Sequence, residues 1–173
     1  MLPFPHDCDV LLCADRGCLG FMRIVPTIEV SVDIGAAPEA VSDVLLDADA
    51  APLWTDGLER LELIEGDVGR VGSVGLAHYV EGGRRYTLED HLLAAVPGKH
   101  FESEVRGGGM RASIETDLER VSDGTRITMR WSGTGTNPIT WLMLPLMGRS
   151  IRRRCLSDLE ALRALVEGRA RAE

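Results

Sequence analysis

The only two tyrosines of the chain flank a glycine pair that is typical of a tight β-hairpin. Gly82-Gly83 lies between two strand-like segments, and a two-residue loop of this kind sets the pairing of the residues on either side. If the glycines form the turn, Tyr79 lies opposite Tyr86, and Asp90 shares their face. Two phenols and a carboxylate on one strand face can bind polar groups or transfer protons.

The opposite register of this hairpin stays open at the level of sequence. A shift of one residue turns Leu76, His78 and Val80 inward in place of the tyrosines. Tyr86, Asp90 and His78 are therefore the candidates for acid or base catalysis. The ordinary alternative is a structural one, in which the hydroxyls of both tyrosines have hydrogen-bond partners and the aspartate lies at the solvent edge of the sheet.

Patterns of established catalytic and metal sites are missing from the sequence. Residues 72–75 read GSVG, but Val71 occupies the position at which a nucleophile elbow needs glycine. His78, His91 and His100 do not follow the spacing of metal ligands. We therefore expect neither a metal nor a cofactor.

Size and charge narrow the class of protein. The 173 residues suggest one domain that is large enough for a real core. A net charge of −8 argues against a nucleic-acid-binding protein, which needs a basic surface. No apolar run approaches the roughly 20 residues of a membrane span. Because no secretion signal is recognisable, we expect a cytoplasmic protein with reduced cysteines.

The first 22 residues differ from the rest by their lack of a hydrophobic period. Zinc knuckles usually separate paired ligands by about two to four residues, and the cysteines here are five apart. We expect a disordered extension with free thiols at 1–22, a single domain at 23–168 and a short tail at 169–173. The candidate metal ligands in the extension are His6, Cys8, Cys13 and Cys18.

Strands and helices are segregated along the chain. Residues 28–34 alternate apolar and polar side chains, which indicates a strand with one buried face. A short helix at 39–46 and a second short helix or turn at 49–58, which carries Trp54, follow this strand. About six antiparallel strands and a long helix complete an α+β order. The later strands are predicted at 61–63, 73–81, 84–96, 100–106, 110–120 and 126–134.

A long helix is predicted over Asn137–Glu167. Asn137 is typical of an N-cap, and Pro138 of the first helical position. Gly168 is predicted to end the helix as a C′ residue. Pro145 lacks an N–H, so we expect a kink there. One apolar stripe runs along the helix through Leu144, Met147, Ile151, Cys155, Leu162 and Leu165.

Asp158 is the charged residue that falls on this apolar stripe. A carboxylate that faces a core costs free energy unless it is paired or hydrogen-bonded. Arg154, one turn earlier, is the predicted partner. The open alternatives are hydrogen bonds from a strand and contact with a ligand.

The sequence resembles the START-like, or SRPBCC, superfamily of Bet v 1-type domains, and within it the polyketide cyclase/dehydrase and lipid-transport group. The resemblance covers Arg23 to about Glu167. It implies a helix-grip fold, in which a bent antiparallel sheet wraps around a long C-terminal helix. The motifs that carry it are Ala37-Pro38-Glu39-Ala40-Val41, Pro52-Leu53-Trp54, Gly72-Ser73, Arg85-Tyr86-Thr87-Leu88 and Gly124-Thr125-Arg126.

The resemblance also implies a cavity between helix and sheet that holds a hydrophobic small molecule. The alternative is that the facing apolar surfaces meet and fill the interior. A carrier or sensor of a lipid-like or polyketide-like ligand is the leading hypothesis. A cyclase/dehydrase enzyme and an accessory protein-binding subunit are the alternatives. The expected ligand-binding residues are Trp54, Tyr79, Tyr86, Asp90, Phe101, Ile114, Met129, Trp131, Leu144, Met147, Ile151 and Asp158.

The beginning of the long helix combines apolar and basic residues. Trp141, Leu142, Met143 and Leu146 could cover the cavity as a lid or form an exposed apolar patch. Basic side chains at 149 and 152–154 follow them. We therefore consider a weak membrane-surface contact through Trp141–Arg154, with a solvated basic face as the ordinary alternative.

Overall fold

Seven strands and four α-helices make up residues 27–171, the part of the chain that the computed structural model describes. The strands are β1 Thr27–Ile34, β2 Leu58–Glu65, β3 Val74–Glu81, β4 Arg84–Val96, β5 His100–Gly107, β6 Met110–Val121 and β7 Gly124–Gly135. The helices are α1 Pro38–Leu45, α2 Ala51–Trp54, α3 Pro138–Met143 and α4 Gly148–Ala170, with a 3₁₀ helix at Leu144–Met147 between α3 and α4. The predicted α+β order is confirmed.

All seven strands form one antiparallel sheet in the order β1-β7-β6-β5-β4-β3-β2. Each strand from β2 to β6 pairs with the next strand in the chain, and β1 completes the far side by pairing with β7. The helix α4 packs against β1 and α2. This is the helix-grip arrangement of a bent sheet around a C-terminal helix, as predicted.

The β3–β4 hairpin has the first of the two registers considered. Tyr79 is paired with Tyr86, and Ala77 with Leu88. Both turn glycines have positive φ, 54° at Gly82 and 79° at Gly83, which a two-residue type I′ turn requires. The alternative register is therefore wrong, and the tyrosines face the helix side of the sheet.

The C-terminal helix begins as predicted. The Asn137 side chain accepts a hydrogen bond from the Thr140 N–H at 3.0 Å, and Thr140 Oγ1 accepts one from the Asn137 N–H in return. Pro145 lies within the 3₁₀ helix, so the expected interruption of the long helix falls at this proline. The segment is therefore two α-helices joined by one tighter turn.

The buried face and the end of α4 differ from the prediction. Its buried residues are Cys155, Leu159, Leu162 and Val166. Cys155 and Leu162 belong to the predicted stripe, and two further members, Ile151 and Leu165, are partly buried against the core, whereas Leu159 and Val166 are buried residues that the stripe omitted. Gly168 does not end the helix, and residues 169 and 170, assigned to the tail, are helical. Arg169 forms a salt bridge with Asp47 at 3.4 Å, which holds this last turn on the domain.

The N-terminal extension, with His6 and its three cysteines, lies outside the described residues. Within residues 27–171, none of the helices is both long enough and apolar enough to cross a membrane.

Two glycine substitutions test the position of the helices. Gly168 has a helical backbone, and a Cβ added there would meet no atom within 4 Å, so Gly168→Ala should raise the free energy of unfolding by about 0.5 kcal/mol. At Gly135 the added Cβ would clash with the backbone nitrogen of Trp141, so Gly135→Ala should lower the free energy of unfolding by about 1–3 kcal/mol. Urea denaturation measures both changes. A destabilising Gly168→Ala would contradict the helical assignment.

A candidate ligand-binding cavity between helix and sheet

A cavity of about 800 Å³ lies between the concave face of the sheet and the helices α2, α3 and α4. Every residue predicted to bind a ligand lies in its wall. These residues are Trp54, Tyr79, Tyr86, Asp90, Phe101, Ile114, Met129, Trp131, Leu144, Met147, Ile151 and Asp158. The interior is therefore open. The alternative, in which the apolar faces of helix and sheet meet and fill the interior, is wrong.

The wall of the cavity is mostly apolar because the inward positions of β3 to β7 alternate with outward polar ones. Ala77 and Leu88 on the β3–β4 hairpin and Met129 on β7 are buried members of this inward set. The helix α4 packs on β1 and α2, at one side of the sheet, and so leaves space over the central strands. A largely apolar enclosure with a few polar groups is typical of small-molecule sites.

The two tyrosines form one polar group of the wall. Their rings stack with centroids 5.3 Å apart and planes inclined by 11°. The Arg154 guanidinium lies over the Tyr79 ring, 5.4 Å from its centroid. Burial raises the pKa of Tyr79 to about 12, and burial also raises the pKa of Tyr86. Both phenols therefore stay protonated at neutral pH and can donate hydrogen bonds.

Asp158 and Arg154 line the cavity but are not paired as predicted. Asp158 Oδ1 accepts a hydrogen bond from the backbone N–H of Asp56 at 2.9 Å. Arg154 instead forms a salt bridge with Glu81 and donates to the Asp56 carbonyl. The predicted pair was wrong because Asp56, in the loop after α2, and Glu81, at the end of β3, supply nearer partners from distant parts of the sequence. Burial raises the pKa of Asp158, and the hydrogen bond from Asp56 opposes that shift.

Asp90 is the most unusual polar group of the wall. Its Oδ1 atom is buried and has no hydrogen-bond partner within residues 27–171. Burial raises the pKa of the Asp90 carboxyl, while a hydrogen bond from Ser103 and the charge of His91 oppose the shift. The indole Nε1 of Trp54, in the same cavity wall, is likewise buried and unpartnered among the described residues.

His78 does not belong to the cavity. Its Nε2 atom lies 3.3 Å from both Glu62 Oε2 and Arg60 Nη2, on the other face of the sheet. Neighbouring residues of a strand point to opposite faces, so the register that turns Tyr79 inward turns His78 outward. The structure therefore removes His78 from the catalytic candidates and leaves Tyr86 and Asp90.

Some wall residues were missed at the level of sequence. Ser103 and Val105 alternate with charged residues on β5, and Thr116 follows Ile114 on β6, so strand periodicity could have found them. Arg154 could not be found in this way, because its position depends on the phase of α4. Further wall residues are Leu58, Leu61, Leu92, Met110, Thr140, Met143 and Cys155.

The predicted lid is only partly correct. Met143 lines the cavity, whereas Trp141, Leu142 and Leu146 are exposed residues outside its wall. The short α3 and the 3₁₀ helix turn these three away, and they present Thr140, Met143 and the buried Leu144 to the interior instead. Between residues 27 and 171 no group of three or more His, Cys, Asp or Glu side chains is arranged to hold a metal ion.

The bent antiparallel sheet, the C-terminal helix and the apolar cavity between them define a helix-grip domain. The chain belongs to the polyketide cyclase/dehydrase and lipid transport family, whose model matches residues 25–167. This confirms the START-like resemblance, and the family supports either hydrophobic-ligand binding or cyclase/dehydrase-type function. No curated protein shows a significant match to the sequence.

Solved structures of low sequence identity share the fold. The Zhui aromatase/cyclase from Streptomyces sp. R1128 has a TM-score of 0.71 at 18% identity, covering 86% of this chain and 97% of that chain. Ara h 8.0201 has a TM-score of 0.67 at 15% identity, and the match covers 83% of this chain and 99% of that chain. Protein CV1439 from Chromobacterium violaceum has a TM-score of 0.67 at 22% identity, and the match covers 82% of this chain and 97% of that chain.

The burial of Tyr79 generates a spectroscopic prediction. In Tyr86→Phe, Tyr79 is the only tyrosine, and its phenolate absorbance should appear with a midpoint near pH 12, against about 10 in urea. Because the folded pKa is the higher one, the associated stability is present below pH about 10 and is lost as the pH rises towards 12. A midpoint at pH about 10 in the folded protein would contradict the burial of Tyr79.

Proposed function

We propose that the protein binds a hydrophobic small molecule, lipid-like or polyketide-like, in the cavity between the sheet and α4, and acts as a carrier or sensor. The observation that carries this proposal is the apolar cavity of about 800 Å³. Drug-sized ligands occupy pockets of about 300–1,000 Å³ with apolar walls and few polar groups. The similarity to an aromatase/cyclase supports a polyketide-like ligand. A cytoplasmic location stays a prediction.

A carrier explains the polar groups of the wall better than an enzyme does. Asp158 is held by the Asp56 N–H, and Arg154 by Glu81, so both have structural roles. The raised pKa of Tyr79 makes it a poor base at neutral pH. These side chains hold the cavity together and leave few groups for proton transfer.

A cyclase/dehydrase enzyme is the second candidate, and Asp90 is the observation that favours it. A buried carboxyl with a raised pKa is a suitable general acid or base when it faces a substrate. Tyr86 is the other candidate in the same wall. Conversion of the extracted ligand by the protein would favour this function over the carrier.

Filling part of the cavity should weaken ligand binding without disturbing the outer surface. Ala77 is buried and faces the cavity, so Ala77→Trp should occupy part of its volume and weaken the binding of the apolar dye Nile red about tenfold or more. Thr87 is exposed on the opposite face of the same hairpin, and Thr87→Trp is the matched control. Native mass spectrometry of the purified wild type should show a bound apolar molecule.

Equal dye binding by both tryptophan variants would mean that the dye binds at the surface, and it would contradict the proposal. The helical and strand content of each variant, measured by circular dichroism, separates loss of binding from loss of folding.

We infer that the region Trp141–Arg154 makes a weak contact with an anionic membrane surface. Five exposed side chains form an apolar patch: Ile139, Leu142, Met143, Leu146 and Met147. Ile139 and Leu146 are each 76% exposed, so the patch contributes little to the core. Apolar side chains at a helix end beside basic residues are typical of interfacial binding.

The charge around the apolar patch favours anionic lipid. Between Asp123 and Asp158 the sequence contains no acidic residue but six arginines, in a chain of net charge −8. Arg149 and Arg153 are exposed and make no salt bridge within the described residues. Because Met143 and Met147 belong to both the patch and the cavity wall, contact there would bring the cavity close to the lipid.

Vesicles test this contact. Binding to phosphatidylcholine vesicles that contain about a third phosphatidylglycerol should exceed binding to pure phosphatidylcholine and fall with salt. Leu142→Ser with Leu146→Ser, or Arg149→Gln with Arg153→Gln, should reduce sedimentation with these vesicles about tenfold.

The control for the vesicle experiment is Val68→Ser with Val71→Ser, an exposed apolar pair between β2 and β3 whose loop carries acidic neighbours. This pair should leave binding unchanged. Equal binding to both kinds of vesicle would contradict the membrane contact. Capture of one protein partner through the apolar patch would then favour the accessory-subunit alternative.

A further inference from the structure

A side pocket of about 120 Å³ adjoins the cavity where the β2–β3 loop, residues 66–73, packs against the end of α1. Pockets for drug-sized ligands measure about 300–1,000 Å³, so the side pocket is too small to be a ligand site of its own. Its place beside the cavity is therefore its informative property. The residues that line the side pocket but not the cavity are Ala48, Leu63, Val68, Gly69, Ser73 and Gly75.

A partition of side chains separates the side pocket from the cavity. Four of the five residues that line both spaces are leucines of intermediate exposure. Rotamer changes of accessible side chains are fast, and the motions of loops follow within nanoseconds to microseconds. Rotation of these leucines therefore joins the two spaces without a change in the sheet. The five shared residues are Leu45, Leu46, Leu61, Asp90 and Leu92.

The tip of the β2–β3 loop closes the side pocket from outside, and it rests on α1 by van der Waals contact. Gly69 has a φ of 71°, and a Cβ added there would lie 3.4 Å from Leu46 Cδ2. The hydrogen bonds of the tip stay within the loop, from the Arg70 N–H to the Asp67 carbonyl and from the Ser73 N–H to the Arg70 carbonyl. Between residues 27 and 171 no hydrogen bond joins the tip to α1.

The base of the loop, in contrast, is fixed to the sheet. The Gly72 N–H donates to the Leu92 carbonyl at 2.8 Å, and the Leu92 N–H donates to the Ser73 carbonyl at 3.0 Å. Val68 and Val71 are 56% and 60% exposed, so the loop buries little apolar surface. Segments with few buried contacts open locally at a lower free energy than the core. The tip can therefore lift while its base stays in place.

The side pocket and α3 lie at opposite ends of the sheet. Strand β3 begins beside the side pocket and reaches the hairpin turn after eight residues, a distance of about 25 Å. The helix α3 belongs to the hairpin end, because the Thr140 hydroxyl donates to the Gly109 carbonyl at 2.6 Å and the nearby Gly107 lies beside Thr87 on β4. An opening beneath the β2–β3 loop is therefore distinct from an opening beside α3.

We propose that the β2–β3 loop is a gate over a second passage into the cavity. Ligand passes beneath Gly69 when the loop tip lifts and the leucines of the partition rotate. This inference rests on the proposed cavity function and adds a route of exchange to it, without assigning the ligand. Because the route is distant from α3, a carrier whose α3 end contacts a membrane can still release ligand at its other end.

A disulfide between the loop tip and α1 tests the gate. A Cβ at residue 69 would lie 3.6 Å from Leu46 Cβ, within the range of about 3.5–4.5 Å that disulfides need. Leu46→Cys with Gly69→Cys, in a chain whose Cys8, Cys13 and Cys18 are replaced by serine, should close the gate on oxidation. Release of Nile red to excess methyl-β-cyclodextrin, followed by stopped-flow fluorescence, should slow about fivefold and recover with dithiothreitol.

The gate should change rates and leave the equilibrium unchanged. Closing a passage slows association and dissociation by the same factor, so the Kd of Nile red should be equal in the oxidised and reduced protein. The reduced protein is the matched control, because it carries the same two substitutions. A changed Kd with an unchanged association rate would mean that the disulfide alters the cavity itself, and it would contradict the gate.

Shortening the partition should have the opposite effect. Leu61 lines both spaces, so Leu61→Ala should speed the association of Nile red about threefold. Leu58 is the matched control, because it lies on the same strand with similar exposure and lines the cavity alone. Leu58→Ala should leave the association rate unchanged. Equal acceleration by both variants would indicate a general loosening of the wall and contradict a passage at Leu61.

A plug replaces the disulfide if the cysteine pair does not form the bridge. Ala48 lines the side pocket and not the cavity, so Ala48→Phe should fill the passage and slow both rates. Exchange rates that neither oxidation nor Ala48→Phe changes mean that ligand uses another opening, and they overturn the inference while the cavity function stands. If Nile red does not bind the wild type, the proposed function itself fails.

Discussion

The packing of α4 across one side of the sheet is the contact on which the rest of the structure depends. The buried face of α4, through Leu159 and Leu162, meets the alternating apolar side chains of β1, of which Ile34 is almost wholly buried. One helix cannot cover seven strands, because a helix with its side chains is about 10–12 Å wide and adjacent strands are about 4.8 Å apart. The uncovered part of the concave face becomes the cavity wall.

Polar contacts then hold the edges of this cavity in place. Arg154 joins α4 to the β3–β4 hairpin through Glu81, and Asp158 joins it to the loop after α2 through the Asp56 N–H. These contacts involve charged groups that face an apolar interior, where unpaired charges are costly. Arg154 and Asp158 therefore have structural roles in the cavity wall. Asp90 differs from them, because its Oδ1 atom has no hydrogen-bond partner among the described residues.

Strand periodicity and turn chemistry predicted the fold and most of the cavity wall. Inward and outward positions alternate strictly along a strand, so the Gly82-Gly83 turn was enough to place Tyr79, Tyr86 and Asp90 on one face. Predictions that depended on helix phase were weaker. The segment before α4 is a short α-helix followed by a 3₁₀ helix around Pro145, and Leu142 and Leu146 in these two elements lie outside the cavity wall.

The sequence by itself determined the order of elements, the capped start of α3 at Asn137 and the alternating faces of the sheet, because each follows from neighbours a few residues apart. The tertiary structure alone decided which charges are paired and which polar atoms remain unpaired. Asp158 found the Asp56 backbone rather than Arg154, and Asp90 found no partner for Oδ1 among the described residues. Such pairings join residues far apart in the chain, and their distances exist only once the sheet is bent around α4.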